Sequence, residues 1–318
     1  MIINTGMRTD IPAFYSTWLL NRIKEGYVLV RNPYYRNQVT RYSLSPQLVD
    51  CLAFCTKNPH PLMAHFDVLD KFKQFWFITI TPYGKDLEPN VPDKKQVIED
   101  FKVLSKHLGA DAVALRYDPI LLNDNFTIEK HIYAFDKLLS QLQGYTKDVT
   151  ISFLDMYDKV KKNAPNIRTL TDEEQNVIGS EFAKIGKKYG MVIHACCEKK
   201  ELAEYGIDIS GCMSQEIVEK AIGYSLNAPR NGSKRESCNC LMGNDIGMYN
   251  TCMHLCKYCY ANYSEELVKS NALKHNPNSP FLIGESEKED NITNAQQLLW
   301  KRKNSNCEQI KFKLADNE

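Results

Sequence analysis

The sequence predicts an α/β fold of the (β/α) barrel type, and three observations lead to this prediction. From residue 1 to about residue 197, β-branched or aromatic runs alternate with amphipathic helical stretches, as in a parallel sheet with crossover helices. Seven such units approach the eight of a complete TIM-like barrel. Eight of the eleven cysteines then fall between Cys196 and Cys259, which predicts a metal-binding module because disulfides are rare in intracellular proteins.

The predicted strands follow one another at the spacing of βα units. They cover residues 2–5, 28–32, 51–56, 75–81, 112–117, 149–154 and 191–195. An eighth strand is predicted over residues 246–250, directly before a cysteine-rich loop. Enzymes with this barrel carry their chemistry at the carboxyl ends of the strands, so we expect the loop to lie at that face.

The clearest predicted helix spans residues 11–25, where apolar side chains recur at helical spacing and Asp10 precedes the first turn as an N-cap. We expect residues 1–225 to form the barrel and residues 226–265 to form a cysteine-rich iron–sulfur module that completes it. Residues 266–318 are expected to form a C-terminal extension, a surface tail with one helix near residues 296–300.

Composition and charge exclude several classes of function. A chain of 318 residues with 43% hydrophobic and 25% charged residues has ordinary globular composition. Its apolar runs are too short to cross a bilayer and residue 1 leads into a strand, so we expect a cytoplasmic protein with no membrane partner. A net charge of +1 produces no overall electrostatic field that would attract the protein to nucleic acid. Basic patches at Arg230, Lys234, Arg235 and residues 301–303 leave nucleic-acid binding open.

The strongest motif lies in residues 251–261, Thr-Cys-Met-His-Leu-Cys-Lys-Tyr-Cys-Tyr-Ala. Cys252, Cys256 and Cys259 form a C-x3-C-x2-C pattern, with Tyr258 directly before the last cysteine. Three thiolates this close together suit three irons of a [4Fe-4S] cluster. The fourth iron is then left without a protein ligand, which is what a cluster needs in order to bind and reduce a small molecule.

The alternative for this segment is a structural zinc site. Four thiolates could be drawn from Cys238, Cys240, Cys252, Cys256 and Cys259. Zinc sites usually use paired C-x2-C knuckles, so the spacing and the tyrosine favour the iron–sulfur interpretation. The zinc interpretation corresponds to a different class of protein, a non-catalytic zinc-stabilised module that binds a ligand or nucleic acid.

The cysteines outside this motif suggest a second centre. Cys197, Cys212, Cys238 and Cys240 would supply four thiolates for an auxiliary [4Fe-4S] cluster. The alternative is that Cys196 and Cys212 are small buried hydrophobic residues, and cysteine counting alone does not decide between the two. Packing is the expected role of Cys51, Cys55 and Cys307.

Charged residues recur just beyond the predicted strand ends, where a parallel barrel binds its ligands. Any one of them could instead cap a helix or remain solvated, but together they predict a polar or anionic substrate. The substrate-contact candidates are Asp10, Arg31, Lys57, Arg116, Asp118 and Asp155, followed by Glu198.

The cysteine segment resembles the signature of the radical S-adenosylmethionine (SAM) superfamily. Residues 249–262 are especially similar to spore photoproduct lyase-like proteins, and residues 8–16, 56–59 and 116–119 resemble an uncharacterised bacterial family of that group. The resemblance implies that SAM binds the open iron, with Tyr258 among the cofactor-binding residues. It also implies that a ferredoxin or flavodoxin supplies an electron, and that a 5'-deoxyadenosyl radical takes hydrogen from an unknown substrate.

The position of the motif departs from that family, in which the cysteines usually follow the first strand. A circularly permuted radical SAM barrel would reconcile the two, with residues 246–250 as the usual first strand and residues 2–5 as the usual second. Asn4 and Arg8 then fall where the family contacts the amino group of SAM. No Gly-Gly-Glu sequence is present there.

Overall fold

The computed structural model describes residues 1–229, 238, 240–241 and 243–302. Its centre is a seven-stranded sheet in which every neighbouring pair is parallel. The strands of this sheet are β1 (Ile2–Asn4), β4 (Cys51–Thr56), β5 (Gln74–Thr79), β6 (Val113–Ile120), β7 (Asp148–Phe153), β8 (Val192–Ala195) and β9 (Asn244–Asp245). The predicted α/β class is therefore confirmed, and the predicted strand over residues 51–56 has the observed bounds.

The order of the strands in space is β8-β7-β6-β5-β4-β1-β9. Of the strands in this sheet, the last along the chain, β9, thus lies beside the first, β1, which is the neighbour relation that the predicted permutation requires. The strand predicted over residues 246–250 is wrong in its bounds, because the ladder with β1 involves Asn244 and Asp245 and then continues only as a bond from Ile246 N to Asn4 O of 2.9 Å. Among the described residues no ladder joins β8 to β9, so closure of the sheet into a barrel stays a prediction.

The strand predicted over residues 28–32 does not belong to this sheet. The segment forms β2 (Tyr27–Arg31), which pairs antiparallel with β3 (Gln38–Ser43), and β10 (Asn291–Asn294) completes this second sheet. The reason is the short connection between β2 and β3. Parallel neighbours need a crossover of about a dozen residues, whereas a short loop returns the chain in the antiparallel direction.

The helices flank and connect the strands. They are α1 (Ile11–Phe14), α2 (Ser16–Glu25), α3 (His60–Met63), α4 (Phe66–Leu69), α5 (Lys94–Leu108), α6 (Ile128–Leu142), α7 (Asp158–Asn163), α8 (Asp172–Tyr189), α9 (Gln215–Ile222) and α10 (Glu265–Ala272), with a 3-10 helix at Lys200–Tyr205. None of the described helices combines the length and apolar character needed to cross a membrane. The N-cap role of Asp10 is confirmed, since its Oδ1 accepts a hydrogen bond of 3.0 Å from Ala13 N.

Two helix predictions need correction. The helix predicted over residues 11–25 breaks at Tyr15, whose hydroxyl donates to the Thr251 carbonyl at 2.7 Å. The helix predicted over residues 296–300 does not form. There Trp300 N bonds to Asp50 Oδ2 at 2.8 Å and Trp300 O accepts from Asn227 N at 2.6 Å, so this backbone pairs with distant segments instead of with itself.

The two faces of the large sheet have different partners, because successive strand residues point to opposite sides. One face carries large side chains such as Phe54, Trp76 and Leu115, and these pack in the main core with α2, α5, α6 and α8. The other face, here called the inner face, carries residues such as Ala53 and Phe77 and is covered by α9 and the segments around it. Towards the carboxyl ends of β5 and β6 the inner face also carries polar side chains, such as Thr79 and Arg116.

Gly6 follows β1 where its backbone passes β4 closely. A Cβ atom at this position would lie 2.0 Å from the Cys55 carbonyl oxygen, and that oxygen belongs to the sheet backbone. We expect Gly6→Ala to lower the free energy of unfolding by about 2 to 3 kcal/mol, the usual cost of overpacking a site that cannot yield. Urea unfolding followed by circular dichroism measures this difference.

Gly84→Ala is the matched control. A Cβ atom there would meet only the flexible Asp86 side chain, at 3.0 Å. We expect this variant to stay within about 1 kcal/mol of the parent chain, because the smaller entropy of the unfolded state offsets a small contact cost. Equal losses in the two variants would show that the approach of Gly6 to β4 is not tight.

Candidate functional site

The loop after β9 carries Cys252, Cys256 and Cys259, here called the loop cysteines. Because β9 runs parallel to β1, the chain leaves this strand at the carboxyl edge of the sheet. Asp245, at the end of β9, accepts from Met7 N at 3.2 Å and forms an ion pair with Arg8. The pair joins the ends of two neighbouring strands directly beneath the loop. Arg8, a predicted contact of SAM, therefore has a protein partner.

The loop cysteines are half-buried. The ammonium group of Lys57 lies near Cys256 and Cys259, whereas the charged side chain near Cys252 is Asp10. Burial raises the pKa of Cys252 well above its usual range and that of Cys256 to about 12, and it also raises the pKa of Cys259. The ammonium groups of Lys57 and Lys159 lie close enough to oppose the rise at Cys259. Three thiols in this setting stay protonated at neutral pH unless a metal centre replaces their protons.

The backbone of the loop is held from several sides. Asn262 Nδ2 donates to the Cys252 carbonyl at 2.8 Å, and Asn90 Nδ2 donates to the Met253 carbonyl at 2.7 Å. Leu255 adopts a φ of 56°, in the left-handed region that a branched side chain rarely occupies. Such strain persists only where surrounding contacts determine the backbone, and it is concentrated at functional sites.

Asp10 anchors the loop from below. His254 Nε2 lies 2.9 Å from Asp10 Oδ2, and the same oxygen accepts from Lys57 N at 2.8 Å. The other oxygen of Asp10 caps α1. The side chain was predicted as a substrate contact, but in the structure it is buried and links α1, the end of β4 and the cysteine loop.

Glu88 is the charged centre beneath the loop. The side chain is 1% exposed, and its carboxylate accepts from Lys57 Nζ at 2.8 Å and from Thr81 Oγ1 at 2.6 Å. Lys94 and the Tyr258 hydroxyl donate to the same group. Burial opposes ionisation, but the two lysines outweigh it and lower the pKa of Glu88 to about 2. Tyr258, predicted to bind the cofactor, thus uses its hydroxyl to fasten the loop to Glu88.

Arg116 and Asp118 lie on the inner face at the end of β6. The Arg116 guanidinium pairs with Asp118, and its Nη1 lies 3.8 Å from Cys212 Sγ. Beside them, Glu198 accepts from Ser152 Oγ at 3.0 Å and Phe153 N at 2.8 Å. Burial raises the pKa of Glu198 to about 7, with Asp118 and Cys196 adding to the rise. These polar groups line the inner face at its carboxyl edge.

Tyr260 connects this polar group to the loop cysteines. Its phenol lies close to Cys259, Cys55 and Arg116, and its hydroxyl donates to the Met7 carbonyl. Cys55 was expected to serve packing only. In the structure its thiol faces Thr79 and Arg116 on the inner face, so it belongs to the same polar region. Burial raises the pKa of this thiol above its usual value.

The remaining predicted residues lie elsewhere. Arg31 belongs to the second sheet and pairs with Asp290, so its place at a strand end of the parallel sheet was predicted wrongly. Asp155 is exposed after β7, and the hydroxyl of Tyr157 donates to it at 3.5 Å. Asn4 is buried at the end of β1, facing β9. Several predicted residues lie outside the described part of the chain, namely Arg230, Lys234, Arg235, Lys303 and Cys307.

The second cysteine set forms what is here called the thiol row. Its members lie in contact one after another in the order Cys197, Cys196, Cys212, Cys240, Cys238. The prediction named four of these five as cluster ligands and did not include Cys196 among them. A signal for Cys196 was present in the sequence, since it directly follows a predicted strand on the chain and precedes a predicted ligand.

The described residues contain no group of three or more His, Cys, Asp and Glu side chains arranged to hold a single metal ion. For the loop cysteines this does not conflict with an iron–sulfur cluster, because each thiolate of such a cluster binds a different iron. The donors present fit that group. They are three thiols on one loop, with a backbone N–H from Ala261 donating to Cys259 Sγ at 3.3 Å.

The fold and the site define an α/β protein with two cysteine-rich sites, one of them at the carboxyl edge of its parallel sheet. Residues 2–261 match the family model described as Domain of unknown function (DUF1848), and the chain belongs to that family. The matched range includes the loop cysteines and the thiol row. Neither a curated protein nor a solved structure matches the chain. The predicted membership of an uncharacterised family is thereby confirmed.

Glu88→Gln tests the charge balance beneath the loop. The substitution leaves Lys57 and Lys94 without a buried counter-charge, so we expect the free energy of unfolding to fall by about 3 to 5 kcal/mol near pH 7. Tyr258→Phe removes only a donor and keeps the charges, and we expect it to cost about 1 kcal/mol. Chemical denaturation of the two variants beside the parent measures both effects.

The pH dependence of these variants carries a further expectation. The pKa of Glu88 is lowered from 4.5 to about 2, so its stabilising effect is complete above about pH 4.5 and is lost as the pH falls towards 2. The difference between the parent and Glu88→Gln should therefore narrow over that window. A difference that stays constant from pH 6 to pH 2.5 would contradict the ionised, doubly paired carboxylate.

Proposed function

We propose that this protein is a radical SAM-type enzyme in which Cys252, Cys256 and Cys259 hold a [4Fe-4S] cluster. One observation carries the proposal. The loop cysteines follow directly on β9, and β9 lies beside β1 at the edge of a parallel sheet. The cysteine motif thus stands at the carboxyl end of a strand that precedes β1 in space, although it comes late in the chain.

The chemistry of the donors supports this assignment. Three thiolates leave one iron of a cubane cluster open, and when bound such a cluster binds SAM and supplies the electron that cleaves it into methionine and a 5'-deoxyadenosyl radical. A ferredoxin- or flavodoxin-type protein is the class of partner that would deliver this electron. The half-buried setting of the loop cysteines suits a centre that is shielded from bulk water yet open to a small ligand.

The residues beneath the loop position it. Glu88 binds Tyr258 from within the loop and Lys57 from the end of β4. Lys57 therefore stays charged close to Cys256, where a positive group offsets the negative charge of a thiolate-bound cluster. His254 and Asp10 provide a second attachment on the other side of the loop. These contacts hold the three thiols in one orientation relative to the sheet.

The substrate would bind beside the loop, over the inner face. Arg116, Asp118, Glu198 and Tyr260 surround this region with hydrogen-bonding groups, which supports a polar substrate. Arg116 already has Asp118 as its partner, so an anionic substrate would have to compete with that carboxylate. Glu198, with its pKa raised to about 7, can take up or release a proton near neutral pH.

The test is anaerobic reconstitution of the full chain with iron and sulfide, followed by reduction in the presence of SAM. We expect a brown protein that forms 5'-deoxyadenosine, and Cys256→Ala should lower this formation at least about a hundredfold because one iron loses its ligand. Chromatography of the nucleoside products measures the rate. Iron and zinc analysis of the same samples identifies the metal.

Cys51→Ala is the matched control. Cys51 is a buried thiol of β4 that belongs to neither cysteine set, so its removal should leave deoxyadenosine formation within about twofold of the parent. A colourless protein with stoichiometric zinc and no deoxyadenosine would overturn the proposal. It would instead support the zinc-stabilised binding protein.

A further inference from the structure

We infer that the thiol row is a second metal site and that it holds an iron–sulfur cluster. The five thiols come from three separate parts of the chain. Cys196 and Cys197 follow β8, Cys212 precedes α9, and Cys238 and Cys240 precede β9. Segments this far apart in sequence meet only because the strand order brings them to the same inner face. The inference goes beyond the proposed function and does not depend on it.

The contacts along the row are close. Cys212 Sγ and Cys240 Sγ lie 3.3 Å apart, and Met213 N donates to Cys240 Sγ at 3.4 Å. Cys196 touches Cys212 on one side, and Cys238 touches Cys240 on the other. The central two thiols are almost fully buried, at 7% and 5% exposure. If these thiols served only for packing, alanine or valine side chains would fill the space equally well. Packing alone therefore does not explain five cysteines in contact.

The surroundings favour negative charge on these sulfurs. Arg116 Nη1 lies 3.8 Å from Cys212 Sγ. The surrounding part of the inner face is apolar and contains side chains such as Phe77, Ala114 and Ile217. A guanidinium is costly to bury, and Asp118 balances its charge on one side only. A thiolate-bound centre at the row would place negative charge on the other side of Arg116. Backbone and guanidinium donors to sulfur are also the groups that surround iron–sulfur clusters.

The shape of the row favours a cluster over a single ion. Each thiol contacts its neighbour in the row, and the described residues gather no three such ligands around one point. A tetrahedral zinc ion needs four sulfurs about 2.3 Å from a common centre. A cluster binds each thiolate at a different iron, so its ligands need not converge on one point. To bind a cluster, the side chains of Cys212 and Cys240, whose sulfurs lie 3.3 Å apart, would rotate away from each other.

The placement gives this second centre a defined relation to the loop cysteines. Arg116 contacts the row through Cys212, and it also lies close to Tyr260, which neighbours Cys259. The proposed substrate region therefore lies between the two cysteine sites. A ligand bound there would be within reach of both centres.

Metal analysis of the full chain purified without oxygen tests the inference. The triple variant Cys252→Ala, Cys256→Ala, Cys259→Ala removes the loop cysteines and leaves the row intact. We expect it to retain about four iron atoms and as many sulfides per chain, the content of one cubane cluster. The double variant Cys212→Ser, Cys240→Ser should lose about four irons relative to the parent. Mössbauer spectra and visible absorbance identify the cluster type.

The outcomes separate the inference from the proposed function. Iron retained by the triple variant supports the row site, whether or not the parent chain cleaves SAM. A triple variant without iron, with zinc in place of iron, or with a Cys212–Cys240 disulfide found by mass spectrometry would overturn it. To separate loss of iron from loss of folding in the double variant, its thermal unfolding is compared with that of Cys51→Ala. The iron content of the triple variant tests the row site without relying on the double variant.

Discussion

The pairing of β9 with β1 is the constraint on which the rest of the site depends. It is a ladder of two residues, extended by the bond from Ile246 N to Asn4 O and braced by the ion pair of Arg8 with Asp245. Since the strands are parallel, the chain must leave β9 at the edge where β1, β4 and β6 also end. The cysteine loop, Lys57 and Arg116 therefore meet at one edge, although nearly 200 residues separate the loop from Lys57.

Glu88 shows how that edge is stabilised. Its carboxylate is buried, and its partners Lys57, Lys94, Thr81 and Tyr258 come from four different segments. Loss of this carboxylate would leave both lysines without a buried counter-charge, whereas loss of a single neutral donor would cost much less. The same interaction that holds the loop thus sets the positive charge beside Cys256. One carboxylate thus contributes both to the position of the loop and to the charge at the candidate centre.

The inner face of the sheet explains why two cysteine sites lie close together. Its lower half is apolar and covered by α9, while its carboxyl half carries Arg116, Asp118 and the thiols. The segments that cover this face supply Cys212, Cys238 and Cys240. The same segments therefore both cover the sheet and contribute to the thiol row. A substrate between the two sites would contact both the sheet and its cover, and the polar groups around Arg116 would orient it.

The sequence by itself determined the features that depend on local pattern. Short apolar and β-branched runs located β4 and most of the other parallel strands, the N-cap chemistry of Asp10 located the start of α1, and the spacing of three cysteines within one loop identified the candidate centre. The neighbour relation of β9 and β1 was also expected. It followed from a resemblance to a family rather than from the residues of these strands.

Only the tertiary structure decided which distant residues meet. The role of Glu88 was not predicted because it stands nine residues beyond β5 and its partners are scattered along the chain. Arg31 was assigned to the wrong sheet because a strand pattern does not specify which strands are its neighbours. The place of Cys196 in the thiol row was not predicted because its partner Cys212 lies in a different segment of the chain. The physical reason is common to all three. Periodicity and capping act within one element, whereas ion pairs and thiol contacts depend on the order of strands in the sheet.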